Sequence, residues 1–162
     1  MLCLSDVGIA DRLHDLVKES DCEPKQIILE VTETEVMVDV AKVLNVLARL
    51  RLKGFGLSID DFGTGYSSLQ QLSNVPFTEL KIDQSFVKDS PIQPRHRAII
   101  EASLDLARKL KLKTVAEGVE TRAEWDLLKS LGCQQAQGYF IARPMPGHQV
   151  LDWIQMWQAP ES

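Results

Sequence analysis

Residues 56–69 read GLSIDDFGTGYSSL. An apolar, strand-like run ends in two adjacent carboxylates, Asp60 and Asp61; a glycine-rich turn follows, and then a run that can start a helix. Two like charges this close raise each other's pKa unless something positive sits between them. The order strand, charged end, turn, helix is that of one β/α unit. The rest of the chain decides whether the unit repeats.

It does. QIILEVTE (26–33) reads as a β-branched strand, and VDVAKVLNVLARLRLKG (38–54) as a helix with Gly54 as its stop. YSSLQQLSNV (66–75) is expected to be a short helix, ELKIDQSFV (79–87) a third strand, and PIQPRHRAIIEASLDLARKLK (91–111) a long helix. KTVAEGVE (113–120) is expected to form a fourth strand. In TRAEWDLLKSLG (121–132), Thr121 is a cap, Glu124 stands three residues on and Gly132 closes the helix. A fifth strand is expected within 133–146, then an amphipathic helix over 148–158, and a further helix over 8–19 precedes the first strand. Five β/α units in succession imply an α/β fold with parallel strands and right-handed crossovers. A doubly wound open sheet and a (β/α) barrel both fit.

A chain of 162 residues is long enough for one domain with a real core. Its apolar runs are far shorter than a membrane span, and Met1 is not followed by a signal-peptide pattern, so no membrane segment and a cytoplasmic location are expected. Cys3, Cys22 and Cys133 are odd in number and widely spaced, as reduced thiols would be. A net charge of −5 argues against a partner held as duplex nucleic acid. A small phosphorylated ligand stays open, because a metal ion can supply positive charge.

In either architecture the reactive side chains gather at the C-terminal ends of the strands. There stand Glu30 and Glu33, Asp60 and Asp61, Lys81 and Asp83, Glu117 and Glu120, and Gln137. Alone, an Asp-Asp pair before glycine reads as a turn cap. Together, acids from successive strands would repel one another without a cation. Oxygen ligands of this kind suit Mg²⁺ or Mn²⁺. His14, His96 and His148 are expected at the surface, and Trp125, Trp153 and Trp157 in core packing.

With these residues in view, the sequence resembles the EAL domain family of cyclic di-GMP phosphodiesterases. LEVTE (29–33), IDDFGTGYSSL (59–69), LKIDQSFV (80–87), VAEGVET (115–121) and QGYFIARPMP (137–146) carry the resemblance, in the family's order and spacing. It implies a TIM-type (β/α) barrel, of which about five parallel strands, each followed by a helix, are present. It also implies two Mg²⁺ or Mn²⁺ ions, and a water that opens one phosphodiester of cyclic di-GMP to give the linear dinucleotide. Carried over, Asp60 would bridge the metals, Glu30 would bind one ion, and Asp61 and Glu117 the other. Lys81 would assist the water, and Gln137 would order the metal site or substrate. Glu33 would anchor the loop containing Thr64, Gly65, Tyr66 and Ser67.

The sequence departs from the family at its beginning. It holds no Glu-Ala-Leu signature, and the asparagine ligand expected near LSDVGIADRL (4–13) is absent, with Cys3 at its place in one register. Residues 1–162 are therefore expected to form a single EAL-type domain without the family's N-terminal strands. Weak or absent hydrolysis follows, or a degenerate cyclic di-GMP-binding or protein-interaction module. Open sheet edges lead us to expect a homodimer or a covering partner.

Overall fold

The computed structural model describes residues 6, 8–32, 35, 40–63 and 74–158. Five strands form one parallel sheet in the order β1-β2-β3-β4-β5: Ile28–Thr32, Gly56–Phe62, Glu79–Ile82, Lys113–Ala116 and Gln135–Ala136. Each strand lies beside the next in sequence, with no reversal of order. A doubly wound sheet needs such a reversal, and a barrel does not. The sheet is thus an arc of the barrel type.

The helices are α1 (Ile9–Glu19), α2 (Val40–Leu52), α3 (Gln84–Val87), α4 (Pro94–Leu110), α5 (Arg122–Ser130) and α6 (Gly147–Met156). Among the described residues none is long and apolar enough to cross a membrane. Gly54, at φ +97°, closes the turn after α2 as expected. The helix expected over 66–75 falls, but for its last two residues, outside the described residues.

Strand alternation divides the sheet into two faces. Leu29, Val31, Leu57, Ile59, Leu80, Ile82 and Ala116 point to the helices and pack with Leu47, Leu50, Phe55 and Ile100. Ser58, Glu79 and Lys81 lie on the other face, all buried. The apolar face supplies the hydrophobic driving force, at about 25 cal/mol per Å² removed from water. The polar face is left for chemistry.

Three strands are shorter than the sequence suggests. The third stops at Ile82 because Asp83 turns the chain: its Oδ1 accepts from the Ser85 amide at 2.9 Å and caps α3. The fourth stops at Ala116, before Gly118 at φ +66°. The fifth is only Gln135–Ala136, because Gly138 starts a turn in which Ile141 and Ala142 both donate to its carbonyl. A short 3₁₀ turn, Pro24–Gln26, precedes β1 and was not expected.

The aromatic and histidine expectations need correction. Trp125 is half-buried and packs against the core as expected, whereas Trp153 and Trp157 are half-buried outside it. They form a row with centroids 6.1 Å (Trp125 to Trp157) and 5.7 Å (Trp153 to Trp157) apart, because α6 lies across α5 at the sheet's edge. His148 is exposed, but His14 and His96 are half-buried. His96 Nδ1 donates to the Lys88 carbonyl at 2.8 Å and its ring meets Phe86 edge-on, which ties it to the loop before α4.

Thr121 and Glu124 form the expected capping box on α5. The structure adds a longer reach: buried Glu124 also accepts from the Asp89 amide at 3.3 Å, besides the Glu120 and Thr121 amides at 2.9 and 3.0 Å. One carboxylate thus joins the loops after β3 and β4. Glu124→Gln leaves an amide N–H₂ facing backbone donors and should cost on the order of 1–2 kcal/mol. Chemical denaturation measures this; an unchanged midpoint would show that the bridge is dispensable.

Candidate functional site

The polar face carries Glu30 on β1, Asp60 on β2, Lys81 on β3 and Glu117 just past β4. They share a face but not one level. Glu30 pairs with Ser58, two residues below Asp60, and Lys81 pairs with Val115, two residues below Glu117. The groups climb like a staircase, as strands tilted in a barrel arc require.

The staircase converges on one ammonium. Lys81 Nζ lies 2.8 Å from Glu30 Oε1, 3.2 Å from Asp60 Oδ1 and 2.6 Å from Glu117 Oε1. The Lys81 side chain is only 6% exposed, against 53% for Glu30, so the site is closed below and open toward β1. The contact with Asp60 is a charge contact and not a hydrogen bond: Asp60 Oδ1 is shielded from solvent and accepts no bond among the described groups. Burial works to lower the Lys81 pKa; hydrogen bonds to Glu117 and Glu30, with the charges of Glu117 and Asp60, outweigh it and hold the pKa above the ordinary lysine value. Lys81 is therefore favoured as an ammonium while these carboxylates are its partners.

The adjacent carboxylates are explained by a bulge. Ile59 pairs with Leu80 and Phe62 with Ile82, so β2 spends one residue more than β3 between these pairs. Asp61 takes φ +55°, a left-handed conformation that aspartate tolerates better than most residues. Such a bulge re-aims side chains. By plain alternation Asp61 would join Ile59 on the helix face. Instead it stands in the field of the rim: burial raises its pKa first, then repulsion from Asp60 and Asp83, against the attraction of Lys81. Glu117 is also raised, by burial and by repulsion from Asp60 and Glu30, against its bond to Lys81.

Gln137 follows β5 and is tied in by backbone: its amide donates to the Ala116 carbonyl (2.8 Å), and its carbonyl accepts from Val119 (3.0 Å). With Glu117 it lines an open cleft of about 340 Å³ that also takes in Gln84 and Tyr139. Glu33, Thr64, Gly65, Tyr66 and Ser67 lie outside the described residues. At the end of β1, Glu35 accepts from the Thr32 hydroxyl and amide at 3.1 and 3.2 Å, a local closure that the spacing T-x-x-E could have signalled.

The family model for the EAL domain matches residues 2–144. The chain belongs to the EAL family. It is 44% identical over 150 residues to the bifunctional diguanylate cyclase/cyclic di-GMP phosphodiesterase MucR of Pseudomonas aeruginosa, covering 93% of this chain and 22% of MucR. The solved PaMucR phosphodiesterase in complex with c-di-GMP is 45% identical at a TM-score of 0.84, over 88% of this chain and 58% of that one. Klebsiella pneumoniae BlrP1, solved in calcium and manganese complexes with cy-diGMP, is 38% identical at a TM-score of 0.78, over 83% of this chain and 34% of BlrP1. This chain thus spans less than two thirds of the length of each. EAL domains are TIM-like barrels, and the five-stranded arc is the corresponding part of one.

Among the described residues no three His, Cys, Asp or Glu side chains are grouped to hold a metal ion. Glu30, Asp60 and Glu117 face the Lys81 ammonium instead. The donor set nevertheless fits a hard divalent cation: the donors are all oxygen, three carboxylates face one positive charge, and the shielded Asp60 Oδ1 has no hydrogen-bond donor.

Proposed function

We propose that the protein binds cyclic di-GMP at this rim and, with Mg²⁺ or Mn²⁺, hydrolyses one phosphodiester to the linear dinucleotide. The convergence of Glu30, Asp60 and Glu117 on Lys81, in a chain of the EAL family, carries the reading. Asp60 would hold both ions, Glu30 one, and Asp61 and Glu117 the other. The ions would supply Lewis acidity at a phosphoryl oxygen and a more acidic water.

The chain's own residues do the rest. Lys81, favoured as an ammonium by its carboxylate partners, donates a hydrogen bond to the attacking water and offsets negative charge on the phosphate. Gln137, fixed by two backbone bonds, positions the substrate beside Glu117. Glu33 would anchor the segment carrying Thr64, Gly65, Tyr66 and Ser67, a reading that rests on the resemblance alone. We take residues 1–162 as one EAL-type unit acting in the cytoplasm, a location that suits the free thiols Cys22 and Cys133.

The second reading is a binding module without turnover. The Lys81 ammonium at the centre of the three carboxylates, where a cation would otherwise sit, favours it. Product analysis after incubation with cyclic di-GMP and Mn²⁺ separates the two. Linear dinucleotide formed only with the metal present would support hydrolysis, and tight binding with no product would favour the module. A homodimer or a partner over the outer strands of the described sheet, β1 and β5, is part of the proposal. A monomer in light scattering would count against the dimer.

Metal should also act on stability, with a defined sign. Asp61 and Glu117 have folded pKa values raised above the ordinary carboxylate range. Their contribution favours the fold in acid, where they are protonated, and is lost as pH rises through the raised values. Above those values both ionise against their environment's preference. We expect Mn²⁺ to raise the melting temperature at neutral pH and to have little effect once the medium is acid enough to protonate them. An equal metal-induced shift at both pH values would place the metal elsewhere.

A further inference from the structure

The single helical turn α3 stands between two loops of the rim and touches each at a glycine. On one side, a Cβ at Gly63 would meet Phe86 Cε2 at 3.1 Å, so the chain two residues past Asp61 runs against that ring. On the other, a Cβ at Gly118 would stand 2.5 Å from Gln84 Cβ, so the chain just past Glu117 runs against Gln84. The missing side chain is what lets each loop come this close.

α3 is itself held in place. Val87 is fully buried in the core, and Asp83 caps the start of the turn. His96 on α4 meets the Phe86 ring edge-on, 6.3 Å between centroids, and its Nδ1 donates to the Lys88 carbonyl at the end of α3. Glu124 ties the Asp89 amide, just after α3, to the Glu120 amide on the Glu117 loop. Both carboxylates, by contrast, lie where strand pairing is interrupted or has ended: Asp61 in the bulge of β2, Glu117 just past β4. A fixed element that touches both loops sets the distance between them.

We propose that α3 is the spacer that sets the gap between Asp61 and Glu117, with the Phe86 ring and Gln84 Cβ as positioning contacts for a divalent ion held between those carboxylates. This rests on the reading above in which the two share an ion, and adds what keeps them at the right separation. Hard cations demand defined ligand spacing, Mg²⁺ most of all.

Calorimetric titration of the full chain with Mn²⁺ alone reads the gap. Phe86→Leu should weaken Mn²⁺ binding about 10-fold, as loss of a partner behind metal ligands does. In an Asp61→Asn background the same change should cost less than about twofold, because the ligand it positions is gone. Gln84→Ala keeps the Cβ and should bind Mn²⁺ as the parent does; Gln84→Gly removes it and should weaken binding about threefold. Gln84 is exposed, so both of its variants should keep the parent's circular dichroism, and they decide the matter if Phe86→Leu does not fold. Parental Mn²⁺ affinity in folded Phe86→Leu, or in Gln84→Gly where Phe86→Leu does not fold, overturns the spacer and leaves the metal site standing. So does an equal loss from Phe86→Leu with and without Asp61. A parent that binds no Mn²⁺ overturns the functional reading and the spacer with it.

Discussion

Lys81→Met is expected to lower cyclic di-GMP turnover by about 10²–10³-fold while leaving Mn²⁺ binding intact or tighter, as loss of a fixed charge donor at a reacting phosphate does. The reasoning is electrostatic. Lys81 is nearly enclosed and faces three carboxylates within 3.2 Å. Methionine keeps the length of the side chain and removes the charge. The carboxylates then lack their internal partner, so a divalent cation gains and the reaction loses its donor. Without metal the variant should melt below the parent, because three ionised groups are left facing one another. Steady-state hydrolysis and Mn²⁺ titration on the same preparations read both effects. Near-parental turnover would remove Lys81 from the mechanism; weaker Mn²⁺ binding would show that it supports the ions rather than competing with them.

Gly138→Ala carries the second large effect. A Cβ at Gly138 would stand 2.2 Å from the Val119 carbonyl oxygen and 2.3 Å from the Val119 nitrogen, distances at which backbone must move. The same stretch holds the bonds from the Val119 amide to the Gln137 carbonyl and from the Phe140 amide to the Val119 carbonyl. The substitution therefore pushes the β5 end away from the β4 end and takes Gln137 out of line with Glu117. We expect a loss of about 3 kcal/mol, near the upper end for overpacking. At about 2–4 °C per kcal/mol for a chain of this size, the melting midpoint should fall by roughly 6–12 °C. Cyclic di-GMP binding should weaken with it. A midpoint within a degree or two of the parent's would mean that the two loops can part without cost.

Much of this site is legible because its signals are local. The apolar runs ending in acids, the T-x-x-E spacing of Thr121 and Glu124, and Gly54 after α2 each follow from short-range rules, and the structure bears them out. Glu30, Asp60, Lys81 and Glu117 were legible as strand-end residues because β/α alternation fixes which end of a strand is the reactive one. Other features depend on contacts far apart in sequence. The bulge at Asp61 appears only when Ile59 and Phe62 are set against β3. Glu124 reads as a helix cap, and nothing in its neighbourhood announces the Asp89 amide. The strand overruns past Ile82 and Ala116 have a common cause: apolar residues resume at Phe86-Val87 and at Val119, but Asp83 and Gly118 turn the backbone first.

The proposed function requires a rim that holds cyclic di-GMP through divalent ions. Its most direct test is titration of the protein with cyclic di-GMP, with Mn²⁺ and with chelator, for the parent and for Asp60→Asn. The account predicts saturable binding that needs Mn²⁺ and is lost or greatly weakened in Asp60→Asn. Binding that is indifferent to both metal and Asp60, or no binding by the parent in either condition, would contradict it.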